Sequence, residues 1–110
     1  MEFWTHFNNK ETLGDNGSEG GRIIIDEEHV NGARITLEED SYDAPYAITL
    51  GIYGVMFHTD FFNTIDEAKS KCLMFKSKIE LILQHLSIDD SNREKAWRLV
   101  YNELLDDLTK

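Results

Sequence analysis

Proline is nearly missing from this 110-residue chain, with Pro45 the single example, and cysteine is equally scarce. Cys72 alone cannot close an internal disulfide, so a disulfide scaffold is excluded. Basic residues are in deficit: 11 Lys and Arg stand against 21 Asp and Glu, for a formal charge of −10. Phosphate neutralisation needs clustered Lys and Arg, so nucleic acid is excluded as a partner. No stretch approaches the roughly 18 consecutive apolar residues of a membrane span, which excludes the membrane as well. Phosphate loops, Gly-x-Gly-x-x-Gly, His-Glu-x-x-His and Cys-x-x-Cys are all absent, so neither a cofactor nor a metal is expected. Residues 1–8 have no basic segment and no long apolar run. They do not read as a secretory leader, and the expected compartment is the cytoplasm.

What is present suffices for one core. The chain is 41% hydrophobic and 11% aromatic, and folding at this length buries roughly two-thirds of the unfolded surface. The acids are unevenly spread. Through Phe62 there are 12 acids against 3 bases, and from Asn63 onward 9 against 8. A negative face of this kind steers basic partners or keeps a protein in solution.

Residues 1–21 divide into an aromatic arm, carrying Phe3, Trp4 and Phe7, and a glycine-rich stretch. With four glycines in eight residues, positions 14–21 read as a flexible linker. Trp4 is too large to leave in water, so the arm should dock on its own domain or on a neighbouring subunit. Residues 22–110 read as a single α+β domain. From Arg22 to Asp40 the pattern is a hairpin around Asn31-Gly32. A two-residue turn would place Glu28 opposite Ile35 and mix acids with aliphatics. A three-residue loop, Val30-Asn31-Gly32, with Gly32 in the left-handed conformation, separates the faces. Ile23, Ile25, Glu27 and His29 then share a face with Ala33, Ile35 and Leu37, while Glu28 lies across from Arg34 as an ion pair.

After the loop at residues 40–45, Tyr46 to Phe62 reads as a second hairpin turning at Tyr53-Gly54; one long strand kinked at Gly51 and Gly54 is the alternative. The hairpin register places Ile48, Leu50, Ile52, Val55, Phe57, Thr59 and Phe61 on one face. Ala47, Thr49, Gly51, Met56, His58 and Asp60 fall on the other. Two helices follow. Thr64-Ile65-Asp66-Glu67 is a capping box that leads into Ile65, Ala68, Cys72, Phe75, Ile79, Ile82 and Leu86 at helical spacing. Ser91-Asn92-Arg93-Glu94 opens a second helix with Trp97, Val100, Tyr101, Leu104 and Leu108. The expected architecture is a four-stranded antiparallel sheet of two hairpins, then two antiparallel helices on one face, in order ββββαα.

His58 and Asp60 are the best candidates for chemistry. Two apart on a strand, they project together as a base and its orienting carboxylate or as two metal ligands, although no third group is fixed beside them. In the run Asp26, Glu27, Glu28 and His29, strand alternation scatters the carboxylates over both faces, as on an ordinary solvated strand. Cys72 sits in the apolar stripe as a core thiol. Lys69, Lys71, Lys76 and Lys78 suit a solvated helix face.

The functional expectation is a small, acidic, non-enzymatic protein-interaction module that self-associates as a homodimer. Its contact would lie at Trp4 and Phe7 of the arm, at Met56 and His58 of the uncovered sheet face, or at both. The alternatives are an inhibitor or immunity-type protein for a basic partner such as a nuclease, and a small enzyme or ligand-binding protein centred on His58 and Asp60.

Overall fold

The computed structural model describes residues 3–53 and 56–86. By its contacts the chain forms two compact units, Met1–Leu73 and Met74–Lys110. The fold class is α+β. The strands are β1 (Trp4–His6), β2 (Arg22–His29), β3 (Ala33–Glu39), β4 (Tyr46–Ile52) and β5 (Met56–Phe62), followed by helix α1 (Ile65–Leu86). The strands form one antiparallel meander in the order β1-β2-β3-β4-β5. The sheet therefore has five strands where four are expected. The extra one is the aromatic arm, in which Trp4 lies opposite His29 and His6 opposite Glu27.

The first hairpin adopts the three-residue loop. His29 pairs with Ala33, Glu28 with Arg34 and Ile25 with Leu37, and Gly32 has φ +106°. Directly opposed residues of an antiparallel pair share a face. Ile25, Ala33, Ile35, Leu37, Ile48, Leu50 and Ile52 thus form one apolar face, and most of them are fully buried. The hairpin departs from expectation at two places. A bulge between Ile23 and Ile25 moves Ile23 to the polar face, opposite Glu38. Arg34 does not turn to Glu28 but reaches diagonally to Asp26, while Glu28 accepts the Tyr53 hydroxyl at 2.7 Å.

The second hairpin slips by one residue. Ile52 pairs with Met56, Leu50 with His58 and Ile48 with Asp60, so its connection holds three residues rather than two. Because side chains alternate along a strand, that single residue exchanges the faces of all of β5. Met56, His58 and Asp60 take register positions on the apolar face, and Phe57, Thr59 and Phe61 join Gly51, Thr49 and Ala47 on the polar one.

Residues 14–21 are not a free linker but a strap crossing the polar face. The Gly14 amide donates to the Ile23 carbonyl at 2.8 Å, the Ile23 amide to Asp15 at 2.9 Å, and the Tyr42 amide to Glu19 at 3.0 Å. The glycines serve close approach rather than flexibility. A Cβ on Gly17 would collide with the Glu38 carboxylate, and one on Gly21 with the backbone oxygen of Glu39.

α1 starts as its capping signal requires: the Glu67 amide donates to the Thr64 hydroxyl at 3.2 Å. In the first unit Ala68 and Cys72 are buried; in the second, Phe75, Ile79, Ile82 and Leu83 are. These are stripe positions expected from spacing, with Leu83 widening the stripe on one side, but Lys76, expected on the solvated face, is buried as well. The second expected helix, with Trp97, Tyr101 and Leu104, lies outside the described residues.

Candidate functional site

The polar face of the sheet is organised by two buried carboxylates that the strap closes over. Asp26 is 1% exposed. Its oxygens accept from Arg34 Nε at 2.9 Å and Arg34 Nη2 at 2.6 Å, a forked charge-assisted pair. They also accept the Thr12 hydroxyl at 2.8 Å and the Thr36 hydroxyl at 3.1 Å. Burying a charge is costly unless it is paired and hydrogen-bonded, and four donors meet that condition. The hydrogen bonds from Arg34 to Asp26 push the guanidinium pKa upward, against a smaller opposing effect of burial. The guanidinium carbon also stands 3.7 Å from the Phe7 ring centroid, a cation–π contact. Residues 7 and 12 are thereby fastened to β2 and β3.

Glu38, fully buried, is the second anchor. Its carboxylate accepts the backbone amides of Glu19, at 3.2 and 3.3 Å, and Gly21, at 3.0 Å. Between strap and sheet lies an open cleft of about 360 Å³. It is lined by Gly17 and Ser18 from the strap, by Thr36, Thr49 and Gly51 from the sheet, and by Tyr53 and Phe57. Burial and the hydrogen bond to Glu28 push the Tyr53 phenol up to about 12.

Beyond the cleft the polar face changes character. Phe57 is 80% exposed and Phe61 42% exposed, two apart from Thr59 on either side along β5. The Phe57 ring lies over Gly51, where a Cβ would come within 2.8 Å of it. Among the described residues β5 is an edge strand, and it presents these two phenylalanines on one outward face. No protein-family model, curated protein or solved structure matches this chain.

The candidate site residues are dispersed. His58 Nε2 lies 3.5 Å from Asp60 Oδ2, so the two do project together. They do so on the apolar face, opposite Leu50 and Ile48, rather than beside Thr49. Their cross-strand neighbours therefore supply no third polar group for acid–base work. Among the described residues no group of three or more His, Cys, Asp or Glu is placed to hold a metal ion. Trp4 is buried, edge-on to His29 at 5.1 Å between ring centroids, and Phe7 lies half-buried under Arg34. Met56 stands opposite Ile52 at the start of β5. No described helix is long and apolar enough to cross a membrane.

Sequence reasoning missed Phe57 and Phe61 as surface residues and Asp26 and Glu38 as buried ones. The two phenylalanines were hidden by the length of the second turn. Asp26 left one usable signal: it shares a strand face with Arg34 and Thr36, a cation and a hydroxyl able to satisfy it.

Proposed function

We propose that the chain is a non-enzymatic protein-interaction module whose contact surface is the outward face of β5 and the adjoining cleft. The observation that carries this reading is the exposure of Phe57 and Phe61 on one face of β5, on either side of Thr59, where β5 is an edge strand among the described residues. Buried aromatic anchors dominate protein interfaces, and a half-open cleft beside them offers a socket for a partner's side chain. The arm does not supply the anchors, since Trp4 and Phe7 are engaged with their own β2 and β3. Nor does the His58–Asp60 pair favour an enzyme, with aliphatic residues opposite both members.

The surplus of acid in the sheet half favours a second reading, an inhibitor of a basic protein. Glu11, Asp15, Asp40 and Asp43 are exposed on its connections. Affinity purification from the native host, with the intact chain and Phe57→Asp run in parallel, tests the contact surface. The expected result is an identified protein, this chain or another, held by the intact protein and lost with the variant. Identical retained sets would overturn the reading.

A further inference from the structure

We infer that β5 pairs antiparallel with β5 of a second copy about a two-fold axis at Thr59, joining two five-stranded sheets into one of ten. This rests on the interaction-module reading above and names its partner. Among the described residues β5 is an edge of the sheet, paired on one side only, with β4. Edges are ordinarily blunted by proline, lysine, bulges or inward charges. β5 has no proline or lysine, and its register with β4 runs unbroken from Tyr46↔Phe62 to Ile52↔Met56. Its one such device is Asp60.

The order Phe57-His58-Thr59-Asp60-Phe61 is complementary to its own reverse. Pairing at Thr59 sets Phe57 against the partner's Phe61 and Phe61 against the partner's Phe57, all on the polar face. On the opposite face His58 meets the partner's Asp60, and Asp60 the partner's His58. Opposed aromatics, opposite charges and opposed threonines are the cross-strand pairs that stabilise sheets. Neighbouring registers fail. An axis at Asp60 opposes two carboxylates, and one at His58 leaves Asp60 facing Met56.

Asp60 then acts as a selector. A foreign strand with an aliphatic residue at that place leaves a carboxylate unpaired, whereas a second copy answers it twice. Inside one chain the 3.5 Å separation is too long for a strong hydrogen bond, and His58 Nε2 is buried with no hydrogen-bond partner among the described residues. Asp60, its side chain 38% exposed, keeps acceptor capacity open to a second copy. A two-fold axis normal to the sheet closes the assembly at two copies.

Sedimentation and cross-linking of the full chain test this. A strand edge with two phenylalanines per copy is a small interface, so dimerisation is expected at roughly tens of micromolar. Phe57→Asp, at a position open enough to leave the fold intact by circular dichroism, should weaken it at least about tenfold. Thr59→Cys should give a disulfide-linked dimer under mild oxidant, because opposed Cα atoms lie about 4.5–5.5 Å apart. Val30→Cys, exposed at the first hairpin turn, should not. A chain still monomeric at about 1 mM overturns the proposal. So does a dimer that Thr59→Cys fails to link or that Phe57→Asp leaves unchanged. If the chain is monomeric but Phe57→Asp abolishes retention of a different protein, self-pairing falls and the contact surface stands. If the variant changes neither, both fall.

Discussion

Gly32 shows how one residue sets a register. Its φ of +106° is open to glycine, and a Cβ there would meet only the Tyr53 ring edge at 3.8 Å. Space is not the obstacle; backbone strain is. Gly32→Ala should therefore destabilise by about 1 kcal/mol in urea denaturation, and an unchanged midpoint would mean that the loop relaxes into another turn. Tyr53, one turn away in the sheet, carries a proton the folded state holds unusually tightly. An ordinary phenol loses it near 10, but this one is pushed up to about 12. Stability drawn from that proton is complete below pH 10 and drains away as pH rises from 10 toward 12. The ring is partly exposed, so the effect is modest. An ultraviolet titration of the intact chain minus that of Tyr53→Phe should show a phenolate appearing near 12. A difference titrating near 10 would mean that the bond to Glu28 does not persist in solution.

Among elements, the two hairpins show what a sequence makes legible. In the first, only one register separates Ile25, Ile35 and Leu37 from Asp26, Thr36 and Arg34, so the pattern alone selects the three-residue loop. In the second, both faces of β5 are mixed: Phe57, Thr59 and Phe61 on one, Met56, His58, Asp60 and Phe62 on the other. Pattern favours the register that sets Phe57 and Phe61 with Ile48 and Leu50, and turn geometry, which Tyr53-Gly54 does not advertise, overrides it. The strap was illegible for another reason. Glycine content cannot distinguish freedom from close approach until Glu38 and Glu39 are known to lie beneath. That difference is measurable. In a free linker Gly21→Ala would be neutral or slightly stabilising, because it restricts the unfolded chain. In the strap it should cost about 1–3 kcal/mol through overpacking against backbone that cannot move aside. Hydrogen exchange at the Glu19 and Gly21 amides should quicken together, as both bond Glu38. The helix stripe was legible at Ala68, Cys72, Phe75, Ile79 and Ile82, since spacings of three and four leave one solution, whereas the burial of Lys76 was not. Phe75→Ala should accordingly cost about 3–5 kcal/mol, and a cost below about 1 would place the ring at the surface.

On the scale of the whole molecule, charge opposes the contact proposed for β5. Each copy carries −10 formally, so a homodimer gathers −20. Of the acids in the sheet half, only Asp60 lies on β5. The repulsion therefore comes from groups away from the contact, and salt acts strongly on such distant charges. The Debye length falls from about 30 Å at 0.01 M to about 8 Å at 0.15 M. At low salt the two copies feel each other's full charge; at physiological salt they feel mainly what touches. Short-range pairs at the axis, Phe57 on Phe61 and His58 on Asp60, are screened far less because they are close and partly desolvated. Self-association should therefore tighten several-fold as salt rises over that range. An inhibitor attracted to a basic partner behaves oppositely: its long-range attraction is screened and its association slows and weakens. Measuring the dimer dissociation constant by sedimentation at both salt concentrations separates the readings by sign. A homodimer that loosens with salt would require charge attraction between copies as its source, which the β5 pairing does not supply beyond His58 and Asp60.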